Sequence, residues 1–297
     1  MPRIAILCSF SRDFGSDPLY TRHFQPQLPS GTQVDFFNAN GDYDNEAANN
    51  RNIKQVADTI NPANYDLLVA AGGLVSAIAL AKSSAGAAKP FLIIVGDLPN
   101  RPGNDLSNNN NLMGGINLHT ANQNNVRAGC LWDAFGPSGT ISHRITSLAN
   151  ICLYYNGNSH SHDKESGEFL FRRGKALKST VDQTTAGSVQ AQFAADFAGL
   201  PQGTEAIVVA ADPFFAARAA DLAAALTAVI PAIPVCYPTE RFSMAAPATS
   251  LIYGPNLGAA YETLGRMASR YLNATVKPPY LGIYTPPPIG PIPPTAP

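Results

Sequence analysis

The chain has 297 residues and a formal net charge of −1, from 20 basic and 21 acidic residues. Only 14% of its residues are charged, against about 25% in a typical soluble domain. Hydrophobic residues make up 45%, which is enough for a large core and excludes a mostly disordered chain. Because basic and acidic residues are nearly equal in number, the chain lacks the excess of positive charge that is typical of nucleic-acid-binding proteins. The near-zero net charge also favours association between copies over mutual repulsion.

The first half of the chain alternates short apolar runs with helical patterns. We predict strands and helices from periodicity, from helix-capping residues and from the glycines that punctuate the chain. In chain order they are a strand at 3–9, a helix at 17–27, a strand at 33–38, a helix at 44–60, a strand at 66–71, a helix at 75–83 and a strand at 90–95. A long polar segment at 100–125, rich in asparagine and glycine, is interpreted as a connection between domains.

The second half repeats the same alternation. The predicted elements are a helix at 122–135, a strand at 149–155, a helix at 166–178, a weak strand at 180–183, a helix at 188–198, a strand at 205–210, a helix at 213–229, strands at 233–237 and 249–253, and a closing helix at 257–272. Continuous apolar strands separated by helices are typical of parallel sheets that are buried on both faces.

The predicted fold class is therefore α/β, with two Rossmann-like lobes of parallel sheets joined by crossing strands, plus a Pro-rich C-terminal tail. We expect lobe 1 to comprise residues 1–118 and 243–275, lobe 2 residues 119–242, and a C-terminal arm residues 276–297. Ligands of open α/β sheets bind at the carboxyl ends of the strands. Neither GxGxxG nor GxxxxGK occurs, so nucleotide cofactors are disfavoured and no cofactor is expected.

The amino terminus of the chain bears on its cellular location, and the cysteines bear on metal binding. The amino terminus lacks the pattern of a signal peptide, and no apolar run reaches the roughly 18 residues of a membrane helix. As written, the sequence predicts a cytoplasmic protein, or a periplasmic one if a leader was removed. The four cysteines lie far apart without a CxxC pair and are interpreted as small buried hydrophobes, not as a metal site: Cys8, Cys130, Cys152 and Cys236.

Four stretches, in this order, resemble one known family. They are YDLLVAAGG at 65–73, KPFLIIVGD at 89–97, RPGN at 101–104 with MGGI at 113–116, and IPVC at 233–236 followed by YGPN at 253–256 and the helix at 261–272. The order is similar to that of ABC-transporter substrate-binding proteins of the tryptophan/tyrosine type, which have the type 1 periplasmic-binding-protein fold. The resemblance covers roughly residues 3–275.

That resemblance implies a small ligand in the cleft between two lobes, and contacts from loops that follow strands of both lobes. Carried over by position, the implied ligand-binding residues are Ser9, Phe10, Ser11, Gly72, Gly73, Asp97, Asp212, Tyr237 and Glu240. It leaves open whether a membrane permease is a partner.

The residues themselves support more than one role at these positions. The hydroxyls after the first strand could hold a polar ligand head, or Ser11 could cap a helix. The glycines Gly72 and Gly73 admit a ligand to the backbone, or form a tight strand–helix turn. Asp97 and Asp212 could bind an amino group, or they could cap helices or form turns before the prolines that follow them, Pro99 and Pro213.

No pattern favours catalysis. The serines lack the GxSxG setting of a nucleophile, and the sequence NSHSHD around His160, His162 and Asp163 is interpreted as a solvated turn instead of a metal site. We therefore expect the protein not to be an enzyme, and no metal site.

The last twenty residues carry no charge, and nine of them are proline. Their apolar side chains predict an arm that docks on its own lobes or, as the preferred alternative, on a neighbouring subunit. The expected oligomer contacts are Tyr280, Leu281, Ile283, Tyr284, Ile289 and Ile292.

Two hypotheses follow from the sequence. The first is a non-catalytic receptor that closes on a small, amino-acid-like ligand. The alternative is a cytoplasmic homo-oligomer with the same fold, a structural protein that self-assembles into a ring, tube or filament through the C-terminal arm.

Overall fold

The structure is a computed structural model that describes residues 1–9, 17–39, 46–96, 106, 109–118, 123–141, 144–156, 169, 174–181, 187–239 and 250–292. The chain divides into two compact units. Unit 1 is Met1–Thr120 with Leu257–Pro286, and unit 2 is Ala121–Asn256 with Pro287–Pro297.

Strands and helices alternate through both units. The strands are β1 (Arg3–Cys8), β2 (Gln33–Asn38), β3 (Leu67–Ala70), β4 (Phe91–Val95), β5 (Leu112–Asn117), β6 (Ile151–Asn156), β7 (Lys175–Ser179), β8 (Ala206–Val209), β9 (Val235–Tyr237), β10 (Ser250–Pro255), β11 (Gly282–Tyr284) and β12 (Pro288–Ile292). The helices are α1 (Glu46–Asp58), α2 (Leu74–Ala81), α3 (Ser84–Ala88), α4 (Gln123–Phe135), α5 (Val189–Ala198), α6 (Pro213–Ala217), α7 (Ala219–Val229) and α8 (Leu257–Asn273). Two short helical turns, Tyr20–Phe24 and Gln25–Gln27, follow β1.

Unit 1 is built on sheet A, whose strand order is β11-β5-β4-β3-β1-β2 with every pair parallel. Side chains alternate between two cores: Ile4 and Ile6 pack with α8 on one face, while Ala5 and Leu7 pack with α1 and α2 on the other. Both faces are covered, which is why these strands are continuously apolar.

Unit 2 is built on sheet B, in the order β12-β10-β9-β8-β6-β7. Its pairs are parallel except β10 with β12, which is antiparallel. Ile151 and Leu153 of β6 pack with α4 on one face. On the other face the Tyr154 ring stacks on Phe215, with 5.0 Å between ring centroids.

These two sheets confirm the predicted α/β fold class, but the prediction is wrong at several elements, two of which are strands β5 and β7. The polar segment 100–125 contains β5, because Gly114 and Gly115 resemble turn residues in the sequence yet lie in a strand with φ of 138° and 153°. A Cβ at Gly115 would overlap the carbonyl oxygen of Ile93 in β4, so glycine is required for this pairing.

The other difference concerns the helix predicted at 166–178. Residues 175–179 form strand β7 at the edge of sheet B, and residues 166–168 and 170–173 lie outside the described part of the chain. Strand β7 has lysine at two of its five positions and therefore lacks the apolar run of a central strand. For this reason the sequence pattern predicts a helix here instead of a strand. Of the weak strand predicted at 180–183, residues 180 and 181 follow β7 and are not in a strand, and residues 182 and 183 lie outside the described part of the chain.

The division into units also differs from the predicted lobes at the C-terminal end. Strand β10 was placed in lobe 1 but pairs with β9 in sheet B, so the chain returns to unit 1 only at α8. The arm predicted at 276–297 is divided too, since β11 extends sheet A and β12 extends sheet B. Within the described residues, no helix is long and apolar enough to cross a bilayer.

Candidate functional site

Small and polar residues follow the strands of sheet A. Ser9 comes directly after β1, Asn38 ends β2, the pair Gly72 and Gly73 follows β3, and Asn117 ends β5. Because neighbouring strands in this sheet are parallel, all of these residues lie at one edge of unit 1. This edge is where open α/β sheets bind ligands.

Ser9 is the most unusual residue at this edge. It is fully buried, and its hydroxyl oxygen has no hydrogen-bond partner among the residues that the structure describes. It lies against Gly72: a Cβ added at Gly72 would overlap the Ser9 hydroxyl and lie 2.6 Å from Ser9 Cβ. A buried hydroxyl without a partner costs free energy, so such a group in a native fold calls for a physical explanation.

The turn after Gly72 begins helix α2. Gly73 has φ of +81°, a left-handed conformation that glycine adopts without strain. The Ser76 hydroxyl accepts from the Gly72 amide at 2.9 Å and donates to the Gly73 carbonyl at 2.9 Å, which fixes the turn. The N-cap residue of α2 is Gly73 itself, which has no side chain to cap the helix.

The corresponding edge of sheet B carries Asn156 at the end of β6, Asp212 after β8, and Thr239 after β9. Asp212 is buried and is the N-cap of α6, where its Oδ1 accepts from the Phe214 amide at 2.8 Å. The same oxygen accepts from Asn156 Nδ2 at 3.3 Å. The capping alternative for Asp212 is therefore present in the structure.

The end of β9 is also buried. Burial raises the pKa of Tyr237, so its hydroxyl stays protonated at neutral pH. Two residues later, Thr239 is buried, and within the described part of the chain its hydroxyl oxygen has no hydrogen-bond partner. Like Ser9 in unit 1, Thr239 is a buried hydroxyl at the carboxyl end of a parallel strand.

The structure thus places five residues of the predicted site at the carboxyl ends of strands. Ser9, Gly72 and Gly73 come together in unit 1, and Asp212 and Tyr237 lie at the edge of sheet B. The others lie outside the described residues: Phe10, Ser11, Asp97 and Glu240. Their ligand-binding role stays a prediction.

Sequence reasoning missed Ser76 and Thr239. Ser76 lies within the apolar helical pattern that predicts α2, and nothing in the sequence distinguishes it from an ordinary residue of that helix. Thr239 follows an apolar strand, and this position at a strand end was the signal that could have indicated it.

Two further features of the molecule are its possible metal ligands and its cysteines. The described residues contain no group of three or more His, Cys, Asp or Glu side chains suited to a metal ion, and His160, His162 and Asp163 lie outside them. Burial of Cys8, Cys152 and Cys236 confirms their interpretation as small hydrophobes, and Cys130 is half-buried. Burial raises the pKa of Cys152 and of Cys236 to about 12, which keeps both thiols protonated.

Neither a protein-family model nor the sequence of a curated protein matches the chain. Solved structures do match. The ABC domain in complex with L-Trp from Streptococcus pneumonia has 15% sequence identity and a TM-score of 0.65, with 96% of this chain and 90% of that chain covered. A ligand-free, open substrate binding protein with adhesive properties from Clostridium difficile has 17% identity and a TM-score of 0.55, with the same coverage.

A LacI family transcriptional regulator from Enterococcus faecium with bound ribose is similar as well. It has 12% identity and a TM-score of 0.62, with 97% of this chain and 96% of that chain covered. At these identities the likeness concerns the fold alone. The chain has the type 1 periplasmic-binding-protein fold, which is shared by substrate-binding proteins and LacI-family regulators.

Proposed function

We propose that this protein is a non-catalytic binding protein that holds a small molecule at the carboxyl ends of its strands. One observation carries the proposal: each sheet has, at the carboxyl ends of its own strands, a buried hydroxyl with no hydrogen-bond partner among the described residues, Ser9 in unit 1 and Thr239 in unit 2. A bound ligand with polar groups would give these hydroxyls the partners that they lack.

For the ligand class we propose an amino-acid-like molecule, and for the biological role a solute receptor of an ABC transporter. The complex of the Streptococcus pneumonia protein with L-Trp supports the first part. The competing class is a sugar, since the similar Enterococcus faecium regulator holds ribose. The interlobe position of the ligand and a permease partner stay predictions.

A thermal-shift screen tests the proposal. The panel contains the twenty L-amino acids, their decarboxylated amines, and ribose with other pentoses, each added to purified protein that has been refolded free of bound ligand. Because a ligand that binds only the native state raises the apparent unfolding temperature, we expect one chemical group of the panel to stabilise the protein in a concentration-dependent way. The absence of stabilisation by every member would contradict the proposal.

A second candidate function is assembly into a homo-oligomer through the C-terminal arm. The structure pairs the arm within the chain: Leu281 N donates to Met113 O at 2.6 Å, and β12 pairs with β10. Yet Val276, Tyr280 and Ile283 remain exposed, with 85%, 53% and 36% of their surface accessible. Exposed apolar side chains on one short segment favour a contact with another molecule.

Light scattering of the double variant Tyr280→Ser/Ile283→Ser tests this candidate. Both side chains are exposed, so the fold should tolerate the change. If the arm forms the subunit contact, the variant has a lower mass than the wild type. An equal mass for both proteins would contradict assembly through these side chains.

A further inference from the structure

We infer that two copies of this chain pair through β11, so that sheet A of one copy continues across a two-fold axis into sheet A of the other. The inference rests on the second candidate function, assembly through the C-terminal arm, and specifies the contact and its symmetry. Because a two-fold contact uses the same surface on both copies and is then complete, it forms a closed dimer and not a ring, tube or filament.

Strand β11 lies at one end of sheet A. It pairs with β5, and among the described residues no strand lies along its other edge. The backbone groups at such an edge lack the partners that a neighbouring strand provides, which makes the edge a template for another chain. The space beside the first residue of the strand is open as well, since a Cβ added at Gly282 would meet no atom within 4 Å.

The other three end strands carry features that oppose pairing with another chain. Strand β7 contains Lys175 and Lys178, β12 contains Pro288 and Pro291, and β2 contains the charged Asp35. Charged side chains and prolines are the usual means by which end strands avoid such pairing, and a proline has no N–H to donate. Strand β11 contains neither a charge nor a proline, so it is the end strand best suited to an interface.

Apolar side chains on this segment are exposed. They belong to Val276, Tyr280 and Ile283, and Ile283 is the middle residue of β11. The antiparallel register that pairs all three residues of β11 with a second β11 is centred on Ile283, so this side chain lies opposite its own copy. The dimer therefore removes from water apolar surface that a single chain leaves exposed.

The charge of the segment favours a second copy of the chain as the partner. Pairing of identical edges places each charge near its duplicate, and like charges directly opposite each other destabilise a strand pair. Residues 278–297 carry no charge. The ammonium of the preceding Lys277 donates to the carbonyls of Tyr271 and Leu272 in α8, at 2.9 and 3.2 Å. The edge is thus neutral and apolar, which makes it complementary to itself.

Light scattering of the full-length protein over a range of concentrations tests the dimer. We expect the wild-type mass to approach twice the chain mass of 31.3 kDa as the concentration rises. Ile283→Lys puts two like charges at the centre of the contact and should raise the dimer dissociation constant by about tenfold or more. Leu148→Lys is the matched control, because it places the same charge at an exposed apolar side chain of unit 2, and it should dissociate like the wild type.

Ile283→Cys tests the register. Directly opposite residues of an antiparallel pair have Cβ atoms about 4.5–5.5 Å apart, which small backbone shifts bring within reach of a disulfide. Oxidised glutathione should therefore link the two introduced thiols of the dimer in an intermolecular disulfide, with release of two molecules of reduced glutathione. The wild type and Leu148→Cys, treated in the same way, should remain without this link.

The outcomes separate this inference from the proposed functions. A wild-type mass of one chain at every concentration, or a mass that rises beyond two chains, would overturn the closed dimer. A dimer that Ile283→Lys does not weaken, or that Ile283→Cys does not link, would overturn pairing through β11 and keep assembly as a candidate function. The thermal-shift screen tests the binding function independently of both results.

Discussion

Two serine hydroxyls beside the α2 turn differ in their hydrogen bonds, and this difference predicts opposite effects on stability. Ser76 has both a donor and an acceptor as partners, while Ser9 has none. Ser9→Ala should therefore raise the free energy of unfolding by about 1 kcal/mol, and Ser76→Ala should lower it by about 1–2 kcal/mol. Urea denaturation of both variants in the absence of ligand measures the two changes.

The pair of variants serves as its own control, because each removes one buried hydroxyl in or beside the same turn. A loss of stability in Ser9→Ala that equals the loss in Ser76→Ala would show that Ser9 has a structural role. In that case its hydroxyl would not be a group kept for a ligand.

Glu205 gives a prediction for the dependence of stability on pH. Partial burial raises the pKa of Glu205, but hydrogen bonds outweigh this effect and the pKa lies below its ordinary value of 4.5. The carboxylate accepts from the Thr146 amide at 2.6 Å and from the Thr146 hydroxyl at 2.7 Å. Because the folded-state pKa is lowered, this stabilisation is present above about pH 4.5 and is lost as the pH falls through the folded-state value.

Glu205→Gln should accordingly unfold more easily than the wild type at pH 7, by about 0.5–1 kcal/mol for a partly exposed group. The difference between the two proteins should shrink as the pH is lowered from 4.5 to 3. Urea denaturation across this range measures it, and a difference that stays constant with pH would contradict the assignment.

For single residues, the sequence predicts which residues lie at strand ends better than it predicts their hydrogen-bond partners. The sequence indicated Asp212 as a residue at a strand end and left capping and ligand binding open, since either role suits an aspartate before a proline. The structure shows the cap. The missing partner of the Ser9 hydroxyl depends on which side chains surround it in three dimensions, and local sequence patterns do not contain that information.

At the scale of elements, Gly114 determines whether the C-terminal arm can pair with sheet A. Its φ is +138°, and a Cβ there would lie 3.0 Å from the Gly282 nitrogen and overlap the Gly282 carbonyl oxygen. Gly114→Ala should separate β11 from β5 and lower the free energy of unfolding by about 1–3 kcal/mol. Hydrogen exchange at the Ile283 and Tyr284 amides should become faster.

Gly129→Ala is the matched control for this prediction. Gly129 lies within helix α4, and an added Cβ meets no atom within 4 Å. Alanine should therefore stabilise the helix by about 0.5–1 kcal/mol and leave exchange at the arm unchanged. Unchanged exchange at Ile283 and Tyr284 in Gly114→Ala would contradict the proposed role of Gly114.

The sequence predicted buried, parallel strands well because their apolar runs are continuous, as in β1, β3, β4 and β8. It failed at β5 and β7, where the pattern does not reflect the pairing. In β5, glycine is required because the backbones of the neighbouring strands approach closely. Strand β7 is an edge strand with few apolar residues. The helix predicted at 213–229 is also interrupted, at Arg218, between α6 and α7.

The asparagine-rich segment explains part of the low content of charged residues, because its side chains form hydrogen bonds within the fold. Asn109 Nδ2 donates to the Ala81 carbonyl at 3.2 Å, at the end of α2. Asn111 Nδ2 donates to the carbonyls of Gly86 and Ala87 in α3, at 3.0 and 2.7 Å. These amides satisfy carbonyl groups at helix ends, a role for which a neutral donor is sufficient.

For the whole molecule, the order of elements sufficed to predict the fold, and the comparisons with solved structures agree with it. The assignment of the C-terminal elements to units was less predictable. Strand β10 and the arm are placed by pairing between residues far apart in the chain, such as Ile252 with Ile292. Such pairing is not encoded in local periodicity.

The uncharged arm therefore belongs, in part, to the fold of the chain itself. Its backbone extends sheet A through β11 and sheet B through β12. The exposed side chains of Val276, Tyr280 and Ile283 are the part that stays available for a second molecule.

The central claim is that polar groups at the carboxyl ends of the parallel strands bind a small ligand. Isothermal titration calorimetry tests it most directly, with the molecule that stabilises the wild type most in the thermal-shift screen. The titration compares wild type, Ser9→Ala, Thr239→Val and the control Ser84→Ala, which removes an exposed hydroxyl from α3. The account predicts that at least one of Ser9→Ala and Thr239→Val weakens binding about tenfold, as expected for a lost hydrogen bond of about 1.4 kcal/mol, while Ser84→Ala binds like wild type. Affinities equal to that of the wild type in both variants would contradict the account.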